Sequence, residues 1–140
     1  MTDFTDLTAG EAVFETAFPV TRDDLAAYAE ASGDRNPIHL DEAAAEAAGL
    51  PGVIAHGMYT MGLASRAVLE WVEQAGLEAA LTDFSARFAK PVVVPAGSGT
   101  TVEIEAKVRK ADSEAVQLAI TARSGGEKVL APARATLSRA

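Results

Sequence analysis

The six residues Asp34, Arg35, Asn36, Pro37, Ile38 and His39 set a carboxylate, an amide, a turn residue of fixed φ and an imidazole side by side. Asp34 and His39 are an obvious pair for moving protons. A reaction that removes a proton at one atom and supplies one at another needs two such groups facing the same point. His39 is one of only two histidines in the chain. Asp, Asn and Pro are also ordinary turn residues, so an isolated D-x-N-P carries little chemistry by itself. The second histidine, His56, stands just before Gly57 and Met58. It is a second candidate acid or base. A structural role, bonding backbone near a turn, is favoured because Asp34 and His39 already suffice for the proton transfers.

Such a pair works only if something holds it. Residues 12–20 (AVFETAFPV) alternate loosely and predict a first strand. Thr21 then sits at an N-cap position with Asp24 three residues on, a weak capping box. Arg22 to Ser32 follows as a helix with Leu25, Tyr28 and Ala29 on one face, and Gly33 ends it. Asp34 to His39 therefore falls just past a helix end. Pro37 pushes Asn36 toward extended geometry. Asp41 caps a short helix from Glu42 to Ala48, closed by Gly49. After a loop carrying His56, a longer helix runs from about Met58 to Gln74, apolar over most of its surface and so expected to be buried. Gly57, at its start, is either a tight-turn glycine or a place where free N–H groups and the helix dipole polarise a carbonyl. Ser65, on that helix, either bonds the catalytic pair or packs.

From Gly76 to Thr82 no pattern emerges and a loop is expected. Beyond it the period switches to two. Phe84, Ala86 and Phe88 mark one strand, and Val102 to Arg109 gives the cleanest alternation in the chain. Val116 to Ala122 is a third strand. Gly125-Gly126 is a hairpin turn. Val129 to Leu137 is a fourth, and Pro132 inside it implies an edge or bulged position. One strand, then helices, then four strands suggests an α+β architecture with an antiparallel sheet packed on one long helix.

Bulk properties narrow the function. A chain of 140 residues fits one domain, taken as 1–140. There is no cysteine, hence no disulfide, no thiolate site and no thiol nucleophile. Two histidines without cysteine make a poor zinc site, so no metal is expected. A net charge of −8 argues against nucleic acid. The acidic start MTDFTDLTAGE is unlike a signal peptide. Gly57 to Leu69 is too short for a membrane span and contains Arg66. A cytoplasmic protein with no membrane association is expected.

Three segments carry a family resemblance: YAEASGDRNPIH (Tyr28–His39), IAHGM (Ile54–Met58) and FAKPV (Phe88–Val92). Together they resemble the MaoC-like (R)-specific enoyl-thioester hydratases and dehydratases, with the look of the catalytic subunit of mycobacterial-type (3R)-hydroxyacyl-ACP dehydratases. The resemblance implies a hot-dog fold, a sheet wrapped around the long helix. It implies reversible hydration of a trans-2-enoyl thioester, carried on coenzyme A or acyl carrier protein, in fatty-acid metabolism. Asp34 and His39 would be the catalytic dyad, Asn36 their support and the Gly57 N–H the oxyanion donor. No cofactor would be needed. The acyl chain would run along an apolar tunnel, with Tyr28, His56, Met58, Met61, Ser65 and Phe84 as candidate lining. The chain would pair as a homodimer, or as a heterodimer with a second hot-dog subunit lacking the dyad. The alternatives are a hot-dog acyl thioesterase and a non-catalytic acyl-binding partner subunit, and the intact Asp34 and His39 weigh against both. Both carriers are acidic, so an acidic chain that binds either needs a local basic patch. Arg35, Arg87, Lys90, Lys107, Arg109 and Lys110 are the candidates, and most of them are expected to be solvated strand-face residues.

Overall fold

The computed structural model describes residues 2–140. Strand β1 (Ala12–Val20) leads into helix α1 (Arg22–Ser32). A 3-10 turn at Pro37–His39, a short helix α2 (Glu42–Ala47) and the long helix α3 (Gly57–Ala75) follow. Four strands complete the chain: β2 (Ala79–Phe88), β3 (Thr100–Ala111), β4 (Ala115–Ser124) and β5 (Glu127–Arg139). They form one antiparallel five-stranded sheet in the order β1-β3-β4-β5-β2. The sheet wraps around α3, which is the hot-dog arrangement. No helix among the described residues is long and apolar enough to cross a membrane.

The alternation of the strands decides which face meets the helix. Val102, Ile104, Ala106 and Val108 of β3 are buried, as are Val116, Leu118, Ile120 and Ala122 of β4. On β5, Ala133, Ala135 and Leu137 continue the layer. Against them α3 places Thr60, Leu63, Ala64, Ala67, Val68, Trp71 and Val72, spaced three and four apart. That spacing is one stripe of a helix. The opposite side is open: Met58 is 62% and Leu69 48% exposed. The helix is therefore buried along a stripe and not over most of its surface. Its glycines and β-branched residues are weak helix formers. Packing holds it, since each large apolar side chain taken out of water contributes roughly 1.5–3 kcal/mol.

Local signals in the sequence agree with the elements. Thr21 and Asp24 form a reciprocal capping box at the start of α1, and Gly33 ends it in the left-handed region at φ 81°. Asp41 caps α2 by accepting from the Ala43 N–H. One further expectation needs correction. Gly76 to Thr82 is not a loop: Gly76 ends α3 and β2 already begins at Ala79, paired with Arg139 at the far end of β5. The pattern was hidden because the run Ala79-Ala80-Leu81-Thr82 holds little apolar contrast, and a register shift between Leu81 and Asp83 breaks the alternation. Pro132 takes the bulged position, one of the two expected, and not the edge. It lies in β5, between β4 and β2, in a stretch where register shifts on both neighbours leave Ala131 and Pro132 out of the ladder. A bulge removes the need for the N–H that proline lacks.

Candidate active site

The segment 34–39 is held by its own short side chains. The Asp34 carboxylate accepts from the Asn36 N–H at 3.2 Å, and the Asn36 side chain accepts from the Ile38 N–H at 3.2 Å. Asn36 thus caps the 3-10 turn, with Pro37 at its first position. The turn carries His39 inward to 8% exposure while Asp34 and Asn36 remain exposed. The next loop is tied down around it. The Ile54 N–H donates to the Ile38 carbonyl, Ala55 donates to Val92, and Val94 donates to Val53. Arg22 links this corner to the helices, donating to the Val94 carbonyl and pairing with Glu42.

His39 Nδ1 lies 2.7 Å from the Ile54 carbonyl oxygen. A carbonyl only accepts, so Nδ1 carries the hydrogen and the neutral ring presents its lone pair at Nε2. His56 is oriented the opposite way. Its Nε2 donates to the Asp34 backbone carbonyl at 3.0 Å, so the free lone pair is at Nδ1. That buried Nδ1 has no hydrogen-bond partner. The two imidazoles stack, with centroids 3.9 Å apart and planes 24° from parallel. One Asp34 carboxylate oxygen and one nitrogen of each histidine lie within 4.8 Å of one another. Lone pairs lie in the plane of an imidazole ring, so two nearly parallel stacked rings are poorly set to aim at one ion. The cluster has the composition of a proton-transfer site.

His39 opens onto a cavity of about 290 Å³. Its wall includes Ile54, Gly57, Thr60 and the continuous run Phe88–Val92. Gly57 is the first residue of α3, where N–H groups have no intrahelical acceptor. A Cβ at this glycine would lie 3.1 Å from the ring of Phe88. Glycine here lets the backbone face the cavity directly beneath that ring.

Four of the expected lining residues border a different opening. Met58, Met61, Ser65 and Phe84 border a separate groove of about 360 Å³ between α3 and β2. The Ser65 hydroxyl donates to the Gly62 carbonyl of its own helix at 3.0 Å and not to Asp34 or His39. Tyr28 packs edge-on against His56 and Tyr59, with centroids 4.7 and 5.4 Å away. Burial raises the Tyr59 hydroxyl above the ordinary phenol pKa, with nearby Asp24 adding to the effect. Two contributors were not singled out from the sequence. Ile54 acts through its carbonyl, which no side-chain pattern reveals. Phe88 sits in FAKPV, which carried the resemblance but was assigned no role.

The sequence matches the family described as "MaoC like domain" over residues 3–125. The chain belongs to the MaoC-like domain family. It is 37% identical over 113 residues to 3-hydroxybutyryl-CoA dehydratase of Methylorubrum extorquens, covering 79% of this chain and 68% of that protein. It is 47% identical over 78 residues to 3-hydroxyacyl-thioester dehydratase X of Mycobacterium tuberculosis, covering 54% of this chain but only 25% of that protein. Among solved structures, a MaoC-like dehydratase superposes with a TM-score of 0.91 at 34% identity, over 99% of this chain and 42% of the other. The R-hydratase PhaJ1 from Pseudomonas aeruginosa gives 0.79 at 27% identity, over 98% and 84%. The MaoC-like chain therefore spans a quarter of this mycobacterial relative and less than half of the MaoC-like dehydratase chain.

Proposed function

We propose that this MaoC-like chain is an (R)-specific hydratase/dehydratase, interconverting trans-2-enoyl and (3R)-hydroxyacyl thioesters in fatty-acid metabolism. The observation that carries this is the pairing of an exposed Asp34 carboxylate with a buried, tautomer-fixed His39 beside the start of α3. In hydration, water adds its oxygen to C3 as C2 gains a proton. Asp34 and His39 together take one proton from water and return one to C2. The mobile proton then crosses between them, so the pair is restored. Negative charge develops on the thioester oxygen in the transition state, and the Gly57 N–H at the positive end of the helix dipole is placed to stabilise it. Asn36 supports the dyad by capping the turn that presents His39. Dehydration runs the same steps in reverse, without cofactor or metal. The names of the relatives support this chemistry, as dehydratases of hydroxyacyl thioesters and an R-hydratase.

The substrate is an acyl thioester on coenzyme A or acyl carrier protein. The site belongs to one domain, residues 1–140, working as a homodimer or with a second hot-dog subunit in the cytoplasm. The open long edge of β2 and the exposed Met58 beside it support such pairing. Chiral analysis of the product from crotonyl-CoA tests the assignment. Formation of (3R)-hydroxybutyryl-CoA supports it; release of free thiol without hydration indicates a thioesterase and overturns it.

A further inference from the structure

Cations are scarce in this chain, yet half of them are left without an acidic partner. Of twelve Lys and Arg, six sit in ion pairs: Arg22, Arg35, Arg66, Lys90, Arg123 and Arg139. The other six form none among the described residues, although the chain holds twenty Asp and Glu. Four of these six, Arg87, Arg109, Lys128 and Arg134, line a single groove of about 760 Å³, and no acidic residue lines it. All four are exposed. They come from β2, β3 and β5, brought together because the sheet faces alternate. Arg134 stands opposite Ser85 on one side and Ala119 on the other. The Ala131-Pro132 bulge and the small Ala119 and Ala133 form the floor. Clustered like charges repel, so four cations together in an acidic chain mark a place where anions are taken up.

The groove adjoins the His39 cavity. Phe88 and Ala89 line both. A ligand whose reacting end lies at His39 and whose arm passes Phe88 would bring its far end into the cationic groove. We propose that this groove binds the phosphates of coenzyme A, its diphosphate and 3′-phosphate, and so makes a free nucleotide-borne thioester the substrate. The proposal rests on the hydratase reading for the identity of the reacting end. Several cations lining one concave groove suit a small polyanion carrying several phosphates. Arginine matches phosphate with paired N–H donors. The pantetheine arm of an acyl carrier protein delivers one phosphate only.

The test is calorimetric titration of the whole protein with coenzyme A, comparing wild type with Arg109→Gln, Arg134→Gln and Lys110→Gln. Each substitution removes one positive charge, taking the net charge from −8 to −9. Lys110 is unpaired too but lies outside the groove lining. Wild type is expected to bind, and each groove variant to weaken binding about tenfold, the loss of one phosphate contact. Lys110→Gln is expected to change binding less than about twofold, since screened charges outside the contact act weakly. The ratio of kcat/KM for crotonyl-CoA to that for phosphate-free crotonyl-pantetheine should fall in the groove variants by the same factor. Absence of coenzyme A binding to wild type, unchanged binding by the groove variants, or equal loss in Lys110→Gln would each overturn the proposal. So would groove variants that impair only an acyl-carrier-protein substrate. Binding requires no turnover: a chain that binds coenzyme A through the groove but hydrates nothing would sink the hydratase reading and leave this one standing.

Discussion

At the scale of single residues, the proposed proton transfer depends on where one hydrogen sits. The Ile54 carbonyl fixes it on His39 Nδ1, which leaves the lone pair on Nε2. Replacing His39 with Gln, which still reaches the backbone but cannot exchange a proton near neutral pH, should lower kcat about 10²–10⁴-fold, the usual weight of a positioned acid or base. Circular dichroism should remain that of the wild type. Gly57→Ala tests the helix start separately. The added methyl would meet the Phe88 ring at 3.1 Å, and Phe88 is 53% exposed, so the ring has room to give way. The melting temperature should hardly change, while kcat falls about tenfold or more because substrate is displaced from the N–H. Normal turnover in Gly57→Ala would remove the oxyanion assignment. Asp34 and His39 were legible because carboxylate and imidazole are rare as a close pair with a turn between them. The Ile54 carbonyl was not, since every residue has one and only the fold decides which is used.

At the scale of elements, punctuation residues said most. Thr21, Gly33, Asp41 and Gly49 bracket α1 and α2 through caps and positive φ, which are local physics that needs no tertiary contact. Where the signal depends on partners the sequence is silent. β2 starts in a run of alanines whose strand character comes from pairing with β5. The role of Asn36 can be measured at this level. Asn36→Ala loses the cap on the 3-10 turn, at a cost of about 1 kcal/mol. Its melting temperature should drop by a few degrees, and kcat should fall with it because His39 loses its platform. An unchanged kcat at lowered stability would make Asn36 purely structural. In the sheet layer, Leu118→Ala opens a cavity at a fully buried position of β4 and should cost about 2–5 kcal/mol in urea unfolding, with no specific effect on KM.

At the scale of the whole molecule, the layer plan followed from the switch of period from helical to alternating. The strand order and the placing of the cationic groove beside the His39 cavity did not, because they depend on long-range pairing such as β2 against β5. Net charge misleads at this level. A value of −8 speaks against acidic ligands, yet ion pairing disposes of half the cations and strand alternation gathers four of the rest in one groove. In the proposed reaction Asp34 and His39 hydrate an enoyl thioester. Its most direct test is loss of the enoyl-thioester absorbance band with crotonyl-CoA and a longer trans-2-enoyl-CoA, wild type beside Asp34→Asn. Loss of the band with wild type and a rate at least about a hundredfold lower in the variant is the expected result. A variant as fast as wild type, or no loss of the band with wild type either alone or joined by its native hot-dog partner, would contradict it.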